Sequence, residues 1–302
     1  MSASEELQRS TAAVADTVGA AVVGIGRGIR GAGVVVGDGL VVTNAHNLRG
    51  SEVTVTYADG SRATGAVAGV DLDGDLAVVR VDTRGAPVPD WDGTPELGAT
   101  VWSLARTPDA KLRVTSGPVS GTERGFRGPR GRRIVGGFEH TAPLARGSSG
   151  GPVVTGDGRL VGINTHRVGD GFYLAVRTDA ELRRRVDALA AGESPSRRSL
   201  GIAVAPPPVA RKLRRSVGLG ERDGLLVRDA DPDGPAGRAG IEPGDLLVRA
   251  GGRDLHSVDD LHAALDALGE GDSMAFVVVR GDTERDVRVT FDPGAPRSEG
   301  SA

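Results

Sequence analysis

The chain has 302 residues, 38% of them hydrophobic and 25% charged, with a formal net charge of −3. That balance belongs to a folded globular chain rather than a disordered or fibrous one, and it offers no global attraction for nucleic acid or an acidic membrane. Cysteine is absent, which excludes disulfides, a thiolate zinc site and a thiol nucleophile together.

Residues 1–14 read as an N-terminal segment, and in the opening stretch MSASEELQRSTAAVADTVGAAVVGIGRG, residues 1–28, no basic stretch precedes an apolar core and Asp16 interrupts the longest weakly apolar run. No signal peptide or membrane span is legible there, which predicts a cytoplasmic protein. Residues 15–192 then read as a first domain. GVVVGDGLVVTNAH, EVTVTYADGSRATGAVAGV, DLAVVRV, ATVWSLA, GPVVTGDGRLVGINT and GFYLAV have strand length and β-branched content. Asp-Gly pairs among them signal hairpins, because both turn positions tolerate positive φ. Many short strands with few helices predict an all-β barrel or sandwich.

The first convincing helix follows, in TDAELRRRVDALAAG. Thr178 with Glu181 fits a capping box, Leu182, Val186 and Leu189 share a face, and Gly192 ends it. Residues 193–198, ESPSRR, are polar and proline-broken, as an exposed linker requires. Residues 199–292 form a second small domain. Its strands are LGIAV, GLLVRDA, DLLVRAGGRDL and SMAFVVVRGDTERDVRVTF, with a helix capped by Ser257 that presents Leu261, Ala264, Leu265 and Leu268. Residues 293–302 read as a disordered tail. The basic run RKLRRS at 211–216 reads as a solvated helix face rather than a nucleic-acid contact, since no aromatic residue interleaves it.

Three stretches carry chemistry. LVVTNAHNLRG places His46 just after a valine-rich strand, and DLDGDLAVVRV sets three aspartates before another. Position at the strand mouth favours Asp75 as the carboxylate beside an imidazole, with Asp71 and Asp73 expected on a solvated loop. RGSSGGPVV supplies two adjacent serines between glycines. Its GxSxG spacing also matches the nucleophile elbow of α/β-hydrolases, but that fold needs a helix directly after the serine and its acid and histidine later in the chain. Here a proline and a strand follow, and the convincing His and Asp come first. His46, Asp75 and then Ser149 is the chain order of a chymotrypsin-type triad. In it an imidazole takes the serine proton, a carboxylate fixes the imidazole tautomer, and the N–H groups of Gly147 and Ser149 face the developing oxyanion.

VVTNAH, DGDLAVVRV, and GSSGGPVV with GINT resemble the histidine, aspartate and serine blocks of the HtrA (Deg, high-temperature-requirement) serine proteases. The resemblance covers about residues 15–292. It implies a mostly β chain: a chymotrypsin-like double β-barrel followed by a small α+β PDZ domain. By position it makes Ser149 the nucleophile, His46 the general base, Asp75 its orienter, and Gly147 and Ser149 the oxyanion hole, with Ser148 a bystander. SLGIAV matches the PDZ carboxylate-binding loop, so the backbone around Leu200, Gly201 and Ile202 would hold a chain-terminal carboxylate. The peptide would add as a strand between Ile202 and the helix bearing Leu261 and Leu265.

The implied function is a cofactor-free, metal-free endopeptidase for unfolded or damaged proteins, with C-terminal peptides as PDZ partners and neither nucleic acid nor a membrane span. Pro143, six residues before Ser149, carries no charge to receive arginine or lysine, which favours small or medium apolar side chains there. His140, His166, His256 and His262 are scattered without metal-ligand spacing.

Three departures from the family pattern stand out. FEHTAPLARGSSGG lacks the aspartate and asparagine common ahead of the serine and has Arg146 before its glycine, and no aromatic residue precedes Tyr57, where family trimers use aromatic contacts. Most relatives also carry a signal peptide or membrane anchor. Monomer and homotrimer both stay open, as does the alternative of a chaperone-like or scaffold protein with a little-used triad.

Overall fold

The structure is a computed structural model that describes residues 2–91, 93–128, 132–194, 198–268 and 273–291. Part of the expected linker, residues 195–197, and the expected tail lie outside the described residues. The chain divides into two compact units, Met1–Pro195 and Ser196–Ala302.

In the first unit a helix, α1 (Ala3–Val18), precedes two barrels. The sequence reading placed its first convincing helix much later, because α1 buries only a narrow stripe, Val14 and Val18. Its start is a reciprocal capping box: Glu5 N–H donates to the Ser2 hydroxyl and Ser2 N–H to the Glu5 carboxylate. Trp102 Nε1 donates to Thr11 Oγ1 at 2.9 Å and so ties the helix to the second barrel.

The first barrel holds β1 (Val22–Ile25), β2 (Gly31–Gly37), β3 (Leu40–Thr43), β4 (Glu52–Thr56), β5 (Arg62–Asp71) and β6 (Leu76–Arg80). They close antiparallel in the order β1-β2-β3-β6-β5-β4. The second holds β7 (Thr100–Arg106), β8 (Leu112–Arg127), β9 (Arg133–His140), β10 (Pro152–Val154), β11 (Leu160–Gly169) and β12 (Phe172–Arg177), closed as β10-β11-β12-β9-β8-β7. Closure removes sheet edges, and the interiors are filled by inward-facing side chains, chiefly valines such as Val22, Val34, Val42, Val55 and Val78.

Helix α2 (Ala180–Ala190) lays Leu182, Val186 and Leu189 against the first barrel. Its cap differs from the expected one: Asp179 accepts from Leu182 N–H at 2.9 Å, while the Thr178 hydroxyl donates to the Leu160 carbonyl at 2.7 Å. Thr178 is drawn into the barrel, and the next cap-forming residue takes its place.

The second unit contains β13 (Ile202–Ala205), α3 (Pro207–Ser216), β14 (Leu225–Ala230), the short α4 (Pro235–Arg238), β15 (Leu246–Ala250), β16 (Arg253–Asp254), α5 (Val258–Asp266), β17 (Ser273–Arg280) and β18 (Thr283–Thr290). The sheet runs β13-β14-β15-β17-β18, with β16 beside β15, so β13 is an edge strand. Ser257 caps α5, accepting from Asp260 N–H. The basic run lies on α3, but Arg214 departs from a solvated face: it is buried and donates to the carbonyls of Gly220 and Gly281.

Candidate active site

Strands β3 and β6 run antiparallel with Thr43 opposite Ala77. The residues just past the end of β3 and just before the start of β6 therefore share one end of the barrel. His46 occupies the first position, on a single 3-10 turn (Ala45–Asn47), and Asp75 the second. Asp75 is 1% exposed and adopts a left-handed backbone, φ 51°. That conformation aims its carboxylate back at the histidine: His46 Nδ1 lies 2.9 Å from Oδ1 and 2.8 Å from Oδ2, and the His46 backbone N–H donates to Oδ1 at 3.1 Å. Asn44 Nδ2 holds the Asp75 carbonyl at 2.9 Å.

Ser149 comes from the second barrel, on the loop that enters β10. Gly150, at φ +86°, permits the approach, because a Cβ there would stand 2.2 Å from the Ala32 carbonyl oxygen. The Ser149 carbonyl accepts from Ala32 N–H at 2.8 Å and from Asn47 Nδ2 at 2.9 Å, which pins the loop to the first barrel. Its hydroxyl donates to the Thr165 carbonyl at 3.1 Å rather than to His46. Ser148 is buried and its N–H donates to the Ala145 carbonyl, whereas the N–H groups of Gly147 and Ser149 have no acceptor among the described residues. Two unengaged donors, one the serine's own N–H and one two residues before it, suit a developing oxyanion.

The aspartates that flank Asp75 are not solvated, contrary to expectation. Asp71 is 2% exposed, pairs with Arg185 of α2 at 2.6 Å and accepts from Gly74 N–H at 2.8 Å. Asp73 meets Arg132, in the turn between β8 and β9, at 3.2 Å with both side chains mostly buried. A helix and a hairpin from distant sequence cover this loop, which local pattern does not reveal.

Sequence reasoning missed Thr165. Its hydroxyl donates to Asp75 Oδ2 at 3.1 Å from β11, 90 residues away in sequence. His166, expected to be an unremarkable packing residue, has its ring 6.1 Å from that of His46, with Nδ1 3.2 Å from Thr165 Oγ1. His140 is fully buried on β9, and its Nε2 lies 3.1 Å from Asn164 Oδ1. Asn164 Nδ2 donates to Ser103 Oγ and the Gly151 carbonyl, so Oδ1 is the acceptor and His140 carries its proton on Nε2. Burial pushes the His140 pKa down to about 4.

In the second unit Gly201 turns at φ +71°, its carbonyl accepting from Asp231 N–H and its N–H donating to Ser199 Oγ. The Leu200 carbonyl accepts from Ala236 N–H, and Ile202 opens β13 opposite Ala230. Leu261 and Leu265 are each 4% exposed and belong to the core of this unit.

Family models match in two places: a trypsin-like peptidase domain over residues 31–163 and a PDZ domain over residues 208–291. The chain is a trypsin-like peptidase domain followed by one PDZ domain. It is 32% identical over 280 residues to the chloroplastic Protease Do-like 1 of Arabidopsis thaliana, covering 85% of this chain and 62% of that one. A probable periplasmic DegP-like serine endoprotease of Halomonas elongata is 32% identical over 269 residues, covering 86% and 56%. The chain thus spans about three fifths of the length of these curated relatives.

Among solved structures, the HtrA-type protease AlgW with a decapeptide superposes with a TM-score of 0.66 at 21% identity, covering 95% of this chain and 99% of that one. This shows the shared peptidase and PDZ fold. The relatives' names place them in chloroplast and periplasm and so lend the expected cytoplasmic location no support. Among the described residues no helix is long and apolar enough to cross a membrane.

Proposed function

We propose that the chain is a serine endopeptidase acting on unfolded or damaged proteins, with a PDZ domain that binds peptide C-termini. What supports the reading is the His46–Asp75 pair, with the side chain of the next residue, Asn47, holding the Ser149 carbonyl, and with the N–H groups of Gly147 and Ser149 unengaged among the described residues. In the proposed cycle the Ser149 hydroxyl turns from the Thr165 carbonyl to His46 Nε2, gives up its proton there and attacks the substrate carbonyl. Asp75 holds Nδ1–H and stabilises the imidazolium, which then protonates the leaving amine. The oxyanion forms against Gly147 and Ser149. Pro143 places no charge at the pocket for the residue ahead of the cleaved bond, so apolar side chains enter it.

In the PDZ domain the edge strand β13 offers an unpaired ladder to an added peptide strand, with the Leu200–Ile202 backbone at its mouth. On this reading Leu261 and Leu265, both in the core of the unit, would back the added strand. The curated relatives are named as proteases, and the scaffold alternative is not favoured.

The test is cleavage of unfolded β-casein by the protein and by Ser149→Ala, with and without peptides ending in a free apolar carboxylate. Cleavage by the unaltered protein alone, accelerated by those peptides, is expected. No cleavage under any condition would withdraw the enzyme assignment.

A further inference from the structure

Next to the proposed site the β1–β2 turn carries a concentration of positive charge. An open depression of about 370 Å³ is lined by Arg27 and Arg30 from this turn, by Arg49, three residues after His46, and by Glu52, Thr54 and Thr64. Arg30 donates to the Asn47 carbonyl at 3.0 Å. Among the described residues none of the three guanidinium groups meets a carboxylate, whereas many other arginines do, Arg84, Arg177, Arg185 and Arg280 among them. One carboxylate against three guanidiniums leaves the depression positive, with donors in excess of acceptors.

Its position relative to Ser149 follows from contacts. Ile29, between the two arginines of the turn, puts its carbonyl oxygen 2.9 Å from where a Gly147 Cβ would stand. Asn47, whose carbonyl holds Arg30, donates its side chain to the Ser149 carbonyl at 2.9 Å. The turn that carries two of the lining arginines therefore abuts the nucleophile loop from the first barrel. Pro143 stands on the second barrel, where its carbonyl accepts from Thr115 Oγ1 of β8 at 2.8 Å. On the endopeptidase reading, a chain with its cleaved carbonyl at Ser149 and its preceding side chain on the second barrel at Pro143 would carry the residues past the leaving nitrogen to the first-barrel side, where Ile29 and Asn47 meet the nucleophile loop.

We infer that Arg27, Arg30 and Arg49 form a subsite for acidic side chains in the two or three residues that follow the cleaved bond. This rests on the endopeptidase reading of Ser149 and adds a substrate class to it. A carboxylate there forms charge-assisted hydrogen bonds with guanidiniums that meet no carboxylate among the described residues. Exposure keeps each contact modest, and salt weakens it.

The test uses the full chain and two internally quenched peptides, amidated at the C-terminus to keep them from the PDZ domain. They share an apolar residue before the cleaved bond and carry either Asp or Asn at the second and third positions after it. The Asp peptide is expected to be cleaved with about fivefold higher kcat/KM, and to bind Ser149→Ala about fivefold more tightly in fluorescence anisotropy. Both ratios fall to below about twofold, with Arg30 retained, in Arg27→Gln/Arg49→Gln, whose side chains make no hydrogen bond among the described residues. Equal handling of the two peptides, failure of Ser149→Ala to bind either, or a preference that survives the arginine substitutions overturns the subsite. Absence of cleavage by the unaltered protein, with arginine-dependent binding intact in Ser149→Ala, instead overturns the endopeptidase reading and leaves the acidic subsite standing.

Discussion

Asp75 grips His46 at two points: the ring Nδ1 lies 2.9 and 2.8 Å from the two carboxylate oxygens, and the backbone N–H donates to Oδ1 at 3.1 Å. The pairing keeps the proton on Nδ1 and leaves Nε2 free to accept one from serine. Asp75→Asn retains the size but presents an amide that favours the wrong tautomer. Its kcat on an unfolded substrate should fall about 10⁴-fold while the circular dichroism spectrum stays that of the parent. A loss below tenfold would remove Asp75 from the mechanism.

Thr165 acts on the same carboxylate from the other barrel. Thr165→Val deletes the donor to Asp75 Oδ2 at nearly constant volume and leaves a buried carboxylate oxygen short of a partner. A fall in kcat of about tenfold with KM unchanged is expected, and recovery in Thr165→Ser. A change in KM alone, or no recovery with serine, would mean that Thr165 only packs.

Arg185 of α2 neutralises Asp71, which is nearly inaccessible to water. Arg185→Ala strands that carboxylate, and urea unfolding should show a loss of about 3 kcal/mol, since an unpaired buried charge is costly. Asp71→Asn in the same background should recover part of it. Additive losses in the double variant would show that the pair is not coupled.

His140 makes stability depend on acidity. Its folded pKa, about 4, lies below the value of about 6.5 in an unfolded chain, so unfolding takes up a proton between those values. The stabilisation is complete above about pH 6.5 and drains as pH falls toward 4, by about 3 kcal/mol in all. Urea titrations at pH 7, 5.5 and 4 should show this slope in the parent and a shallower one in His140→Gln. Parallel curves would assign the acid sensitivity elsewhere.

The strands that deliver His46 and Asp75 are legible because valine runs on either side dictate where β3 and β6 begin and end. Their adjacency follows from closing a barrel. Thr165 was not legible, since its contact with Asp75 spans 90 residues and a threonine in a strand has a sufficient reason to be there in its β-branching. The same holds for Asp71, whose partner is 114 residues away. Helix α1 escaped notice because two valines make a weak periodic signal, and its stability comes from tertiary packing. At α2 the error was one residue: Thr178 and Asp179 are both able caps, and only the barrel's demand for Thr178 decides between them.

The seam between the barrels runs through the proposed chemistry. Base and acid ride on the first barrel and the nucleophile on the second, joined by Ala32 and Asn47 at the Ser149 carbonyl and by Thr165 at Asp75. A slip of one barrel past the other would part His46 from Ser149 while each closed cylinder, and the His46–Asp75 pair within one of them, stayed whole. Such a molecule is disarmed by shear before it melts, so warming should silence it at temperatures where its spectrum still reports a native fold.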